Sequence, residues 1–150
     1  NINEIIKNTL QLFEIELKKK ELHVEINTQE NLPIIKADYN EITRLITNLI
    51  SNAIKYNKDK GKIIIDVSSS TNYLQIKITD TGIGMKPEEK AKLFNEFFRA
   101  KNEKTRGISG TGLGLSIVKK IVDSYYGKID VDSEFDKGTT FTINLPININ

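Results

Sequence analysis

Cysteine is absent from this sequence, and histidine occurs only once, at position 23. Without cysteine the chain can form neither a disulfide nor a thiolate metal site, and one histidine leaves a zinc ion almost without ligands. No apolar run approaches the length that crosses a bilayer, no signal peptide is visible, and a net charge of +2 gives no reason to expect nucleic acid binding. These absences leave a soluble globular domain, which we expect in a reducing compartment.

Hydrophobic periodicity predicts one domain over residues 1–150, with helices and strands in a regular series. In the first strand Leu22, Val24 and Ile26 are expected on the buried face and His23 on the exposed one. All helices can then lie on one face of a mixed, mostly antiparallel sheet, an α+β two-layer sandwich. The predicted elements are a helix over 1–20, a strand over 22–26, a helix over 38–56, strands over 63–67 and 74–78, a short helix from 87, a loop over 99–110, a helix that opens in GTGLGL and ends near 125, and strands over 129–131 and 141–145.

A polar row borders the predicted core face of the helix that contains NLISNAIKYN. Asn48, Asn52 and Lys55 form this row, Tyr56 stands beside it, and Ser51 is expected on the solvent side. An asparagine carbonyl can ligate Mg²⁺, and a lysine offers a point charge to phosphate. Alternatively, the asparagines merely hydrogen-bond neighbouring backbone groups.

Asp80 ends a predicted strand on the same face as three buried apolar residues, so its carboxylate needs a partner. Backbone amides of the following turn could satisfy it, or it could accept a hydrogen bond from a ligand such as a purine amine. Gly82 and Gly84 would let the chain turn sharply and let a flat ring approach the backbone.

A second glycine run, Gly110, Gly112 and Gly114, flanks the start of a later helix. Free backbone N–H groups and the helix dipole suit such an element to phosphate, although a plain glycine hinge is an equal alternative. Neither a P-loop nor a Rossmann motif fits these residues. Taken together, the two asparagines, the acid and the two glycine runs describe a purine nucleotide site.

Four stretches in this order, NLISNAIKY, DTGIGM, LFNEFFR and GTGLGL, resemble the N, G1, F and G2 boxes of bacterial sensor histidine kinases. KGTTFTINLP resembles the last strand of the same domain. The resemblance covers essentially the whole chain and implies the Bergerat ATP-binding fold, with ATP and Mg²⁺ as cofactors.

The resemblance also implies residue roles. Asn52 would ligate Mg²⁺, Asn48 would support its water shell, Lys55 and Arg99 would contact phosphate, and Asp80 would accept from the adenine amino group. Phe94, Phe97 and Phe98 would anchor the lid or form a docking surface, with core packing equally open. The full set of implied ATP-binding residues is Asn48, Asn52, Lys55, Tyr56, Asp80, Gly82, Gly84, Met85, Arg99, Gly110, Thr111, Gly112, Leu113, Gly114, Leu115 and Thr139.

Asn48 stands where ATP-hydrolysing relatives of this family carry a glutamate that activates water. An amide cannot take that proton, which favours transfer of the γ-phosphoryl group to a supplied nucleophile. His23 lacks the neighbours typical of a phosphoacceptor histidine and is interpreted as a structural surface residue.

The resemblance therefore implies a cytoplasmic catalytic fragment of a longer kinase, monomeric in isolation. It would act on a separate dimerisation and histidine phosphoacceptor domain and, through it, on a response regulator. Any contact with a membrane would come through other parts of the parent protein. The alternatives are an anti-sigma-factor-like serine kinase and a degenerate interaction module that does not bind nucleotide.

Overall fold

A computed structural model of the chain describes residues 1–102, 104–108, 110 and 112–148. Its elements are α1 (Ile2–Leu12), α2 (Glu14–Lys19), β1 (His23–Thr28), α3 (Tyr39–Lys55), β2 (Lys62–Ser69), β3 (Tyr73–Asp80), α4 (Pro87–Ala91), α5 (Gly114–Ser124), β4 (Lys128–Glu134) and β5 (Gly138–Pro146). No helix among the described residues is long and apolar enough to span a bilayer.

The five strands form one sheet in the order β1-β2-β3-β5-β4. β1 runs parallel to β2, and the other neighbours pair antiparallel. Because side chains alternate along a strand, one face of β2, β3 and β5 is apolar and buried under α1, α3 and α5. The predicted α+β two-layer sandwich with helices on one face is confirmed.

The opposite face of the sheet carries a polar ladder. Thr79 Oγ1 lies 3.0 Å from Thr140 Oγ1, and the Gln75 side-chain amide donates to Asn144 over 2.9 Å. These pairs satisfy polar groups that alternate with the buried residues of the same strands. The apolar core of the domain therefore lies on the helical side of the sheet.

α3 is the central helix of the apolar layer. Asp38 caps its first turn, accepting hydrogen bonds from the backbone N–H groups of Asn40 and Glu41 over 2.8 and 3.0 Å. Its buried residues include the predicted core face and also Ile50 and Ile54, which the prediction left out. α3 thus begins at the exposed residue Tyr39 and ends at Lys55, the last residue of its polar row.

The N-terminal region departs from the prediction in two respects. The expected single helix is interrupted at Phe13, whose backbone leaves helical geometry between α1 and α2. Ile26 was expected on the buried face but is 45% exposed, because β1 is an edge strand and the helical layer does not cover its end. His23 is exposed, as predicted.

Candidate functional site

A cavity lies between the polar edge of α3, the end of β3 and an irregular stretch formed by residues 99–102, 104–108 and 110, which we call the lid segment. Most of the predicted site residues line its wall, although Asn48 and Thr139 are 91 positions apart in the sequence. The predicted residues that line the cavity are Asn48, Asn52, Lys55, Tyr56, Asp80, Gly84, Met85, Arg99, Gly110, Gly112, Gly114, Leu115 and Thr139.

Two of the described predicted residues, Gly82 and Leu113, do not line it. The Gly82 N–H donates to Asp80 Oδ1, and Leu113 stands at the start of α5, where its carbonyl accepts from Ser116 and Ile117. Thr111 lies outside the described residues. The place of Gly82 and Leu113 in the ATP-binding set stays a prediction.

Sequence reasoning missed several wall residues. Ser51 was placed on the solvent side of α3, yet it lines the cavity, and its spacing of three and four residues from Asn48 and Lys55 was an available signal. Phe98, for which lid anchoring, docking and core packing were all open, also lines the cavity. The residues missed are Ser51, Ile83, Leu93, Phe98, Ala100, Thr105 and Phe141.

Asp80 is the buried acid of the site, with 7% of its surface exposed. Burial raises its pKa to about 6, while hydrogen bonds from the backbone N–H groups of Gly82 and Thr139 oppose that rise. The Gly82 N–H lies 2.9 Å from Oδ1. Two amide donors therefore fix the carboxylate, and its remaining acceptor positions suit a donor in the cavity.

The turn after Asp80 fits tightly between its neighbours. The Ile83 N–H donates to the Tyr56 carbonyl over 2.9 Å, and a Cβ added at Gly82 would stand only 2.1 Å from that same carbonyl oxygen. At Gly84, which has φ +65°, a Cβ would stand 1.9 Å from the Glu134 carbonyl oxygen. Both positions require glycine, because the end of α3 and the β4–β5 turn press on the turn from either side.

Two hydroxyl groups support the floor of the cavity. Thr139 pairs with Asp80 in the β3–β5 register, and its Oγ1 lies 2.9 Å from Ser133 Oγ. Ser133 Oγ also accepts from the Met85 N–H over 2.9 Å and donates to the Gly138 carbonyl over 3.0 Å. Ser133 therefore couples the turn that follows Asp80 to the strand that carries Thr139.

The polar row of α3 forms the opposite wall. Asn48 Nδ2 donates to the Arg44 carbonyl over 2.9 Å, which is the backbone role considered as the alternative. Its Oδ1 faces α5, since a Cβ added at Gly114 would stand 2.9 Å from it. The Asn52 side chain has no hydrogen bond to another described residue, and Lys55 is exposed at the open side.

The lid segment brings a cation to the cavity. The Arg99 guanidinium donates to the Ile108 carbonyl, and its Nε is buried with no partner among the described residues. A buried cationic N–H without an acceptor is costly, so this position suits an anionic ligand. Lys104 joins the lid segment to the β4–β5 turn through an ion pair with Asp136 and through the ring of Phe135, 5.4 Å from its Nζ.

The three phenylalanines divide their roles. Phe94 packs against the core, Phe97 is 70% exposed with φ +62°, and Phe98 lines the cavity. A Cβ at Gly112 would stand 2.7 Å from the Phe97 carbonyl carbon, so Gly112 of the second glycine run packs directly against the Phe97 backbone.

The donor set of the cavity fits one kind of metal ion. Among the described residues no three acidic, histidine or cysteine side chains cluster to hold a metal. The wall offers the amide oxygens of Asn48 and Asn52, which are hard ligands too few to complete a shell. Such a site fits Mg²⁺ that keeps water and substrate phosphates as its other ligands.

Residues 37–149 match the family model described as "Histidine kinase-, DNA gyrase B-, and HSP90-like ATPase", an ATP-binding domain. The chain belongs to this family. It is 41% identical over 133 residues to the sensor histidine kinase WalK of Bacillus subtilis, a match that covers 85% of this chain and 21% of WalK. It is 35% identical over 147 residues to the sensor protein RprX of Bacteroides fragilis, covering 97% of this chain and 28% of RprX.

Solved structures give the same class. The catalytic domain of the histidine kinase ThkA superposes with a TM-score of 0.84 at 31% identity, covering 98% of this chain and 95% of that one. ThkA in complex with the response regulator protein TrrA superposes with a TM-score of 0.81 at 29% identity, covering 99% of this chain and 41% of that one. The Bergerat fold is thereby confirmed. The chain spans about a quarter of the length of the curated relatives it matches.

Proposed function

We propose that this domain binds Mg-ATP and donates its γ-phosphoryl group to a histidine of a separate dimerisation and phosphoacceptor domain, in two-component signal transduction. The observation that carries the proposal is the cavity itself, which joins a buried acid at one end to two amides, a lysine and an arginine with a buried Nε at the other. Kinship with sensor histidine kinases supports it.

We assign the end of the cavity that contains Asp80, which we call the base end, to recognition of adenine. Asp80, held by two backbone donors, accepts from the exocyclic amine of adenine, and the turn through Gly84 and Met85 forms the side of the pocket. Asp80→Asn would present a mismatched amide edge to that amine, and we expect Mg-ATP affinity to fall about tenfold or more. Calorimetry measures the loss. Exposed Asp132→Asn on β4 is the matched control, and an unchanged affinity of Asp80→Asn would remove Asp80 from base recognition.

We assign phosphoryl transfer to the opposite end of the cavity, which we call the phosphate end. Lys55 and Arg99 bind phosphate oxygens, while Asn52 and Asn48 would hold Mg²⁺ and its water shell. The bound ion would supply charge neutralisation on the β- and γ-phosphates. A nitrogen of the acceptor imidazole attacks the γ-phosphorus in line, the bond to the β–γ bridging oxygen breaks, ADP leaves, and the displaced imidazole proton passes to solvent.

The amide at Asn48 separates this reaction from hydrolysis. Its Nδ2 is bonded to Arg44, and neither of its polar atoms can accept a proton from water at neutral pH. The histidine of this sequence does not line the cavity, being at the exposed start of the edge strand β1. The phosphoryl acceptor is therefore proposed to come from another domain, of which this chain would be the catalytic partner in the cytoplasm.

The experiment incubates the chain with γ-labelled ATP, Mg²⁺ and a separately made histidine-bearing helical hairpin from a sensor histidine kinase. We expect acid-labile, base-stable label on the hairpin and none on a hairpin whose histidine is replaced by alanine. Labelling of a serine-bearing protein but never of histidine would replace this proposal by a serine kinase. Absence of any Mg-ATP binding by the folded chain would indicate a non-catalytic interaction module.

A further inference from the structure

Lys20 directly follows α2, far in sequence from the residues that line the cavity, and its side chain ends on the last turn of α3. Its Nζ donates to the carbonyl groups of Ile54, Lys55 and Asn57 over 2.8, 3.0 and 3.3 Å. The final carbonyls of a helix have no intrahelical N–H donor, and the negative end of the helix dipole favours a cation there. Lys20 therefore caps α3 from outside the helix.

The backbone of Lys20 is itself anchored. Its carbonyl accepts from the Lys60 N–H over 2.8 Å, and the chain reverses at Glu21, which has φ +53°. Burial lowers the pKa of Lys20 and nearby Asp59 opposes the shift, as expected of an ammonium group that is partly removed from water. By contrast, its neighbour Lys19 is exposed.

The turn that Lys20 caps carries part of the cavity wall. Lys55 and Tyr56 line the cavity, and the Tyr56 carbonyl receives the Ile83 N–H over 2.9 Å. Asn57 is buried, donates to the Lys62 carbonyl over 3.0 Å and accepts from Thr81 Oγ1 over 3.2 Å. The last turn of α3 thus connects the phosphate end of the cavity to the turn that follows Asp80.

We propose that Lys20 is a positioning residue for the nucleotide site, which fixes the last turn of α3 so that Lys55 and Tyr56 stand in register with the base pocket. Lys20 does not itself line the cavity, and it acts through the carbonyl groups to which its Nζ donates. The inference rests on the proposed function where Mg-ATP affinity is measured. It rests on the fold alone where hydrogen exchange of the Ile83 amide is measured without nucleotide.

The test compares Lys20→Met and Lys20→Arg with the exposed control Lys19→Met in the same chain. All variants are first checked for cooperative thermal unfolding, and binding is measured well below the transition. We expect Lys20→Met to weaken Mg-ATP about three- to tenfold, Lys20→Arg to recover most of the affinity, and Lys19→Met to match the unaltered chain. Should Lys20→Met not fold, Lys20→Gln, which keeps a donor but loses the charge, takes its place.

Coupling and hydrogen exchange distinguish positioning from general destabilisation. Lys20→Met combined with Lys55→Ala should lose less affinity than the product of the two single losses, since both act through one turn, whereas Lys19→Met with Lys55→Ala should be additive. Without nucleotide, the Ile83 amide should exchange faster in Lys20→Met than in Lys19→Met. If the unaltered chain binds no Mg-ATP, the proposed function fails; if it binds and folded Lys20→Met binds equally, with unchanged Ile83 exchange, the role of Lys20 is overturned.

Discussion

The two ends of the cavity are built differently. At the base end, Asp80, Gly82, Gly84 and Thr139 belong to paired strands or to a turn clamped on both sides, and their polar groups are already bonded to each other. At the phosphate end, the Asn52 side chain and Arg99 Nε have no partner among the described residues, and Lys55 is exposed. The contrast indicates a base pocket that exists before the ligand arrives and a phosphate end that the ligand completes.

The largest effect is expected from a comparison of two glycines of positive φ, Gly84 at the base end and Gly107 in the lid segment. A Cβ at Gly84 would meet the Glu134 carbonyl oxygen at 1.9 Å, whereas a Cβ at Gly107 would meet nothing within 4 Å. We expect Gly84→Ala to cost more than about 3 kcal/mol of folding free energy, and Gly107→Ala about 1 kcal/mol from backbone strain alone. Denaturant unfolding measures both, and equal costs would contradict the difference in rigidity.

Asn52→Ala tests the phosphate end. Because Asn52 offers its amide oxygen to a hard ion and makes no other side-chain hydrogen bond with described residues, its loss should act on transfer and not on folding. We expect the rate of phosphoryl transfer to a histidine hairpin to fall roughly hundredfold or more, with little change in the unfolding midpoint. Asn40→Ala, exposed at the other end of α3, is the control. Transfer at a normal rate would show that the metal assignment is wrong.

The pKa of Asp80 gives a test of the base end by pH. Since its pKa is raised from 3.8 to about 6 in the folded chain, the folded state binds more protons than the unfolded state between those values. The contribution of Asp80 to stability is therefore fully present below the unfolded pKa and is lost as pH rises through about 6. Relative to Asp80→Asn, the unfolding free energy should fall by on the order of 3 kcal/mol across this window. A parallel pH dependence in Asp80→Asn would contradict the assignment, and exposed Asp132→Asn should keep the wild-type profile.

Lys104→Ala should have the smallest effect. Its ion pair with Asp136 joins the lid segment to the β4–β5 turn, but both side chains are about half exposed, and such pairs contribute less than about 1 kcal/mol. We expect a change in nucleotide affinity of no more than about twofold. A tenfold loss in calorimetry would mean that the lid segment is fixed in place before the ligand binds, contrary to the contrast drawn above.

The sequence predicted the fold correctly where the burial of a side chain depends on residues close to it in the chain. The alternation of β2, β3 and β5 and the periodicity of α3 predicted the buried faces, and Asp38 predicted the start of α3. The break at Phe13 and the exposure of Ile26 could not be predicted, because they depend on how far the helical layer extends over the sheet.

The candidate site divides in the same way. Asp80 was found by parity and Asn52 by helical spacing, since both signals are local. Ser133 and Lys20 were not found, because their contacts join residues that are distant in sequence and no motif marks them. Wall residues such as Thr105 depend on the path of the lid segment, which no periodic pattern sets.

The central claim is best tested by amide hydrogen exchange of the chain with and without Mg-ATP. The account predicts that nucleotide strongly slows exchange in the described part of the lid segment and at the start of α5. Little change is expected at the Gly82 and Thr139 amides, which Asp80 already binds. Slowing confined to the turn after Asp80, or no change at any cavity residue at saturating Mg-ATP, would contradict it.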